Sequence, residues 1–437
     1  MLDKIYEKLN GKKVLLLGFG REGKATYRLI RKKLDMPLTI ADKNPVDMRE
    51  LTGVTVISGE DYQKTLRDYD VIIKSPGIVL EDKSPEILEK VTSQTELFIS
   101  VFRNQVVGIT GTKGKSTTTT LIYHIIKSVH ENTLLMGNIG IPAFDQADKI
   151  NDDTVIVYEL SCHQLEYINV SPKVSVFLNL FEEHLDHYGT FENYKKAKEN
   201  IAKYQNEEDV LVCNELNIPD GVKSNLIKAS FDGVSDVYAK DNSVFLKGEA
   251  LEIPVDEIKL KGRHNLYNIA VAFAVCSEMG VSKEDFIKAL KSYETLPHRL
   301  QNIGTFNGIT FYNDSISTIG ETAIQAIKSL KKVGTLLLGG MDRGVDYTLL
   351  ADFLIDADVK NIVLMPDTSK RLFKLFEERK INKNIVFAKD LEEAVKISKE
   401  ITNKGEICLL SPAAASYGFF RDFEERGEYF VKYVKES

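Results

Sequence analysis

The sequence predicts an α/β protein made of three parallel-sheet domains in series. Three observations carry this. Short β-branched or leucine-rich runs alternate from end to end with amphipathic stretches of helical period, the pattern of parallel strands joined by helical crossovers. Two of those strands run directly into glycine-rich loops followed by a helical stretch, where an open sheet places its ligands. The length, 437 residues, fits about three domains at roughly 150 residues each.

The first block opens on Val14-Leu15-Leu16-Leu17, continues through a helix to Leu38-Thr39-Ile40-Ala41-Asp42, and contains a later strand, Val71-Ile72-Ile73-Lys74, that ends in the turn Ser75-Pro76-Gly77. The second opens on Val106-Val107-Gly108-Ile109-Thr110 and carries strands at Val155 to Tyr158 and Val174 to Leu178. Its tail, about residues 208 to 262, turns β-rich, with runs such as Val210-Leu211-Val212 and Val244-Phe245-Leu246. The third block follows Leu296-Pro297-His298-Arg299, with strands at Thr310 to Tyr312, Thr335 to Leu338, Ile362 to Met365, Ile385 to Phe387 and Ile407 to Leu410. This places domains at 1–102, 103–299 and 300–437. There is no 20- to 50-residue repeat and no low-complexity segment.

Composition narrows the function classes. Apolar residues at 43% and charged residues at 28% suit a soluble globular chain that buries several cores. Lys plus Arg number 57 against 64 Asp plus Glu, a net charge of -7, so no nucleic-acid partner is expected. Cys162, Cys213, Cys276 and Cys408 are far apart and form no CxxC, so no structural zinc site is expected and the thiols read as reduced. The N-terminal apolar run is too short for a secretory segment and nothing approaches 18 consecutive apolar residues. A cytoplasmic protein without membrane contact, and a monomer, is expected.

The sharpest motif is Gly108-Ile109-Thr110-Gly111-Thr112-Lys113-Gly114-Lys115-Ser116-Thr117, between a strand and a helical run. Backbone N–H groups of such a turn wrap phosphates, aided by the helix dipole; Lys115 would reach the β- and γ-phosphates and the Ser116 hydroxyl a Mg²⁺ ion. The strict pattern has Gly where this chain has Ile109. A second loop, Gly18-Phe19-Gly20-Arg21-Glu22-Gly23, with Asp42 ending the next strand, fits GxGxxG with a ribose-binding acid. Alone it suggests a dinucleotide such as NAD, another diphosphate, or a merely structural turn.

Glu159 to Glu166 and Asn179 to His187 follow two further strands, whose C-terminal ends share the phosphate-loop edge, so Glu159 and His184 can approach one nucleotide-bound metal. Spacing alone reads Lys195, Lys196 and Lys198 as a solvated basic face. Asn265 and Asn268 share a helical face and suit reading an adenine edge, while Asn265 suits a helix cap equally. In the third block Tyr312 to Ser315, Gly339 to Gly344 and Ser411 to Ser416 each follow a strand and together suggest a binding face.

TGTKGKST, ELSCHQLE, EEHLDHYGTFENYKKAK, GRHNLYNIAVA, LPHRLQ, YNDS, LLLGG and LLSPAAAS, in this order, resemble the Mur ligases of peptidoglycan assembly over residues 12 to 433. The resemblance is nearest the branch that adds D-glutamate to UDP-N-acetylmuramoyl-L-alanine. It implies an N-terminal Rossmann-like domain for the UDP-substrate, a central P-loop ATPase-type domain with a small β extension, and a C-terminal dinucleotide-fold domain. ATP would be held by Gly111, Thr112, Lys113, Gly114, Lys115, Ser116, Thr117, Asn265, Asn268, Arg299 and Asp314. The UDP-substrate would meet Gly18, Arg21, Glu22, Asp42, Lys43, Gly77, Asn138, Ser161 and Gln164. Lys115, His184 and Lys198 would be catalytic. Ser116, Glu159, His184 and a carbamylated Lys198 would hold two Mg²⁺ ions, which overturns the solvated-face reading for Lys198 alone. Thr318, Arg343, Ser416 and Phe423 would hold the glutamate, Arg343 in a bidentate grip on a carboxylate.

One departure matters: where the family commonly has Lys-Ala-Thr-Asn after NDS, this chain reads Ile316-Ser317-Thr318-Ile319. The alternative of a same-superfamily ligase that adds L-glutamate, or acts on another nucleotide-linked precursor, therefore stands beside the D-glutamate reading. A nicotinamide-dependent dehydrogenase leaves the GKST loop unexplained. A P-loop switch protein leaves the first loop and the whole third block without a role.

Overall fold

The computed structural model describes residues 2–49, 51–231, 233 and 235–436. The chain forms two compact units, one running to Asp256 and including Leu266–Tyr293, the other formed by Glu257–Asn265 and the chain from Glu294 onward.

The first unit contains two sheets. Strands β1 (Val14–Leu17), β2 (Leu38–Asp42), β3 (Val54–Ser58), β4 (Val71–Lys74) and β5 (Val91–Thr92) form a parallel sheet in the order β3-β2-β1-β4-β5. All four residues of β1 are buried, because it lies mid-sheet with both faces covered, which is why it reads as an unbroken apolar run. β1 pairs with β2 on one side and β4 on the other, so the first glycine loop sits at the topological switch point.

The second sheet takes β6 (Val106–Thr110), β7 (Thr133–Gly137), β8 (Val155–Glu159), β9 (Val174–Phe177), β10 (Val210–Asn214), β11 (Asn225–Ser230), β12 (Val237–Lys240), β13 (Ser243–Leu246) and β14 (Glu249–Glu252). The order is β14-β13-β12-β11-β10-β9-β6-β8-β7, parallel as far as β12 and antiparallel through β13 and β14. β6 lies between β8 and β9, so the ends of all three meet on one edge. One core cluster runs from Leu16 and Ile40 through Phe98 to Tyr158 and Phe177, and the Phe98 ring meets Tyr158 edge-on at 5.7 Å. Burial of the helix Gln94–Phe102 on both sides joins the two sheets into one unit.

The second unit has a six-stranded sheet of β15 (Gln301–Phe306), β16 (Ile309–Asn313), β17 (Val333–Gly340), β18 (Asn361–Asp367), β19 (Asn384–Phe387) and β20 (Ile407–Leu410), ordered β15-β16-β20-β17-β18-β19. Only the β15–β16 hairpin is antiparallel. Every α/β expectation is met, including the small β extension. β3, β5, β7 and β15 are not among the strands expected from the sequence. β3 alternates half-buried with exposed residues and so shows no continuous apolar run. No helix among the described residues is long and apolar enough to cross a membrane.

Candidate active site

At the first loop, glycine is demanded twice. Gly18 has φ +93°, and a Cβ there would lie 2.7 Å from Ile78 and Ser75 side-chain atoms; one on Gly23 would lie 2.3 Å from the Gly18 carbonyl oxygen. The loop thus closes tightly onto its helix Arg21–Arg31. Asp42 holds it: Oδ2 accepts from the Phe19 N–H at 2.7 Å and Oδ1 from the Asn44 N–H at 2.8 Å. Lys43 is exposed and pairs with Glu60 at 3.2 Å. Gly77 lies in the turn after β4 with open space around its Cα. Arg21 reaches Gly140, next to Asn138.

Behind the loop is a buried charge group that sequence reasoning missed apart from Glu22 and Gln164. Glu22 accepts from Gln164 Nε2 at 2.7 Å, and burial pushes its carboxyl up to about 7. Ser161 and Gln164 form a reciprocal capping box at the start of Cys162–Leu165. Lys74 lies 3.7 Å from Glu166, donates to the Pro76 carbonyl at 3.1 Å, and is pushed down to about 8 by burial, against the pull of Glu166 and Glu22. A lysine ending a strand carries no sequence signal of such burial.

At the P-loop, Gly111 and Gly114 have φ +157° and +83°, and Gly114 starts the helix Lys115–Val129. Lys115 Nζ donates to the Gly111 and Thr112 carbonyls at 2.9 and 3.0 Å, and burial lowers its pKa. Asn179, at the end of β9, is the strut of the loop: its Oδ1 accepts from the Thr112 and Lys113 N–H groups, and its Nδ2 donates to the Lys113 carbonyl. Lys113 is exposed and ion-paired with Glu183. Thr117 is buried and Ser116 half-buried in the first turn. Asn268 stands against Gly114, whose added Cβ would lie 2.8 Å from Asn268 Oδ1.

Glu159 ends β8 and is 1% exposed. Its Oε1 accepts from Asn138 Nδ2 at 2.8 Å, while Oε2 is buried without a hydrogen-bond partner. That orphaned carboxylate oxygen and the Ser116 hydroxyl are hard oxygen donors, the set Mg²⁺ takes. Lys198 is 1% exposed, donates to the Gly111 carbonyl at 2.7 Å, and is pushed down to about 7 by burial and then by the Lys115 charge. The helix Phe191–Lys203 turns Lys198 inward and leaves Lys195 and Lys196 in i,i+4 pairs with Glu199 and Glu192, each at 3.7 Å. His184 has φ +57° and opens the helix Leu185–Tyr188 with its side chain 47% exposed. Its ring lies 6.1 Å from Tyr194, whose hydroxyl meets Thr112 Oγ1 at 2.9 Å.

The second unit holds the remaining candidates. Asn265 donates from Nδ2 to the Lys261 carbonyl at 2.7 Å. Asp314 is 5% exposed; Oδ1 accepts from the Leu300 N–H and Oδ2 from Ser411 Oγ, and burial pushes the carboxyl up to about 6. Arg299 Nε is buried without a partner. Thr318 is half-buried, Arg343 exposed and Ser416 buried, and the Phe423 carbonyl accepts from Ser315 Oγ at 2.8 Å. Arg426, which the sequence analysis passed over, is 2% exposed and donates to Ser315 Oγ, the Ser315 carbonyl and the Ala414 carbonyl at 2.8–3.0 Å. It ties the NDS and PAAAS loops together. Gly340 makes room for it: a Cβ there would lie 3.0 Å from Arg426 Nη1 and 2.4 Å from the Ala415 carbonyl oxygen.

Residues 109–276 match the Mur ligase middle domain. The chain is 34% identical over 449 residues to a UDP-N-acetylmuramoylalanine–D-glutamate ligase of Koribacter versatilis, covering 98% of each chain. It is 35% identical over 452 residues to a ligase of the same name from Ligilactobacillus salivarius, covering 99% of this chain and 98% of that one. Its fold is similar to that of a MurF ligase from Thermotoga maritima in complex with ADP, at TM-score 0.60 and 18% identity over 96% of this chain and 93% of that one. A UDP-N-acetylmuramate-alanine ligase from the same organism gives TM-score 0.60 and 17% identity over 96% and 98%. A P-loop and a GxGxxG loop in one unit, strand-end loops in the other, and near full-length identity to these ligases lead to one conclusion: the chain belongs to the Mur ligase family.

Proposed function

We propose that this chain is an ATP-dependent amide ligase that joins D-glutamate to UDP-N-acetylmuramoyl-L-alanine in peptidoglycan precursor synthesis. The observation that carries the reading is the cluster on one sheet edge: Lys115 on the loop carbonyls, Glu159 with its orphaned oxygen, and the buried Lys198 on Gly111. Relatives that share about a third of their residues over nearly the whole chain carry the name of that ligase.

The precursor's terminal carboxylate attacks the γ-phosphorus of ATP in line; ADP leaves and an acyl phosphate forms. The glutamate amine then attacks the activated carbonyl, loses a proton, and phosphate departs. Activation is required because a carboxylate oxygen is a poor leaving group and phosphate a good one. Gly111 to Thr117 cradle the phosphates, and Lys115 transfers its donors from the loop carbonyls to the transferring group. Ser116, Glu159 and His184 would hold one Mg²⁺, and Lys198 as a carbamate a second, to neutralise the charge of the transferring phosphoryl group. A Lys198 amine pulled down to about 7 is roughly half neutral near that pH, and the neutral amine is the form that is a nucleophile toward CO₂.

Asn268, Asn265, Arg299 and Asp314 complete the ATP contacts in this reading. Gly18, Arg21, Glu22, Asp42, Lys43, Gly77, Asn138, Ser161 and Gln164 take the UDP-substrate, and Thr318, Arg343, Ser416 and Phe423 the glutamate. The functional division follows residues 1–102, 103–299 and 300–437. The enzyme works as a cytoplasmic monomer, where ATP and the nucleotide precursor are available. Ile316 stands where the family commonly has a cation, an altered amino-acid loop that keeps L-glutamate as the second reading.

The test is phosphate release from ATP with Mg²⁺ and UDP-N-acetylmuramoyl-L-alanine, comparing D-glutamate, L-glutamate and no amino acid. Release with D-glutamate alone is expected. Release with L-glutamate alone makes the Ile316 loop the specificity switch, and release with neither refutes both readings.

A further inference from the structure

Beside the proposed nucleotide site stands a set of soft and borderline donors, of which the reaction above uses only His184. Cys162, His163 and His184 each offer one ligand atom, and the three atoms lie within 4.8 Å of one another. Cys162 and His163 start the short helix after β8, and His184 follows β9, so the two strands flanking β6 deliver them to the same edge. The cysteines' wide spacing gave no reason to expect a metal site, yet the fold brings these three donors together in space.

The surroundings hold these side chains in place. The Tyr188 hydroxyl lies 3.0 Å from His163 Nδ1, and its ring lies parallel to that of His163. The His187 ring is 4.3 Å from His163, with its Nε2 3.0 Å from Glu166 Oε2. A hydrogen-bonding partner on one ring nitrogen, as the Tyr188 hydroxyl is for His163, fixes the orientation of an imidazole that ligates through the other. Cys162 is 3% exposed, so its orientation is fixed by packing.

We propose that Cys162, His163 and His184 form a site for a borderline divalent cation of the Zn²⁺ class. A thiolate with two imidazoles suits Zn²⁺ or Co²⁺ and is the wrong donor set for Mg²⁺, which takes oxygen. On binding, the S–H bond breaks and an S–metal bond forms, the proton passing to solvent; each imidazole donates a ring-nitrogen lone pair, and water completes the four ligands. Metal bonds of about 2.0–2.3 Å at tetrahedral angles bring donors to roughly 3.3–3.8 Å apart, so the set closes by at most about 1.5 Å, with the exposed His184 as the member that moves. The consequence for the enzyme rests on the proposed function: His184 cannot serve both ions, so Zn²⁺ here withdraws it from the nucleotide's metal and inhibits turnover.

The experiment adds Co²⁺ to the full chain without nucleotide and reads the absorption spectrum. A thiolate-to-cobalt charge-transfer band with four-coordinate d–d bands is expected, and the charge-transfer band disappears in Cys162→Ser. In His163→Gln, Zn²⁺ affinity falls by more than the about 10- to 100-fold that loss of an outer partner costs, with far-ultraviolet circular dichroism as the check on folding. Cobalt bound to the unaltered chain with no charge-transfer band overturns the site without reference to any variant, and so does a band that persists in Cys162→Ser. Inhibition of ATP turnover by Zn²⁺ is measured separately. If the spectrum is as expected and Zn²⁺ does not inhibit, the cation site stands and the shared role of His184 falls.

Discussion

Glu22 makes the first unit of this protein less stable as the pH rises toward neutrality. Its Oε1 accepts from Gln164, its Oε2 is buried with no partner, and burial pushes the carboxyl from 4.5 up to about 7 against the pull of Lys74. Below 4.5 both folded and unfolded states hold the proton. Between 4.5 and 7 the unfolded chain has released it and the folded chain has not, so unfolding stability falls with pH, and above 7 the full loss persists. At ~1.4 kcal/mol per pKa step the loss is about 3 kcal/mol. Glu22→Gln imitates the protonated form and keeps an oxygen for Gln164, so its stability lacks this pH dependence. The assay is urea unfolding of both proteins from pH 4.5 to 7.5, read by hydrogen-exchange mass spectrometry of peptides covering β1 and β4. The variant should gain about 3 kcal/mol on the unaltered chain across that range. Parallel stability curves for the two proteins would refute the reasoning, because they would mean that Glu22 ionises in the folded chain as it does in the unfolded one.

Lys198 gives a second expectation: removing CO₂ from buffers should lower ATP turnover and bicarbonate should restore it, while Lys198→Arg, which cannot be carbamylated, should lose activity about 10²- to 10³-fold and ignore bicarbonate. Turnover by Lys198→Arg within a few-fold of the unaltered enzyme would contradict the role. Arg426→Met should destabilise the second unit by about 3 kcal/mol, since it strips a buried donor from Ser315 and two backbone carbonyls. It should also raise the KM for the amino acid more than that for ATP, a split measurable by steady-state kinetics.

The unbroken apolar runs of β1, β6 and β20 were legible because mid-sheet parallel strands are covered on both faces, and the glycine loops because phosphate-facing turns need positive φ that only glycine adopts freely. The order of motifs along the chain carried the family. What the sequence left open depends on neighbours distant in the chain. Lys198 and Lys195 read alike as a basic face, and only the packing of their helix separates a buried amine on Gly111 from a solvated one paired with Glu199. Lys74, Glu166 and Arg426 carry no local signal, because burial of a charge is a property of the surrounding elements. Cys162 and His184, 22 positions apart, become neighbours only because β8 and β9 flank the same strand. Local propensity and pattern are written residue by residue and survive in one dimension; desolvation, charge coupling and donor geometry depend on distance, and only the tertiary structure sets distance.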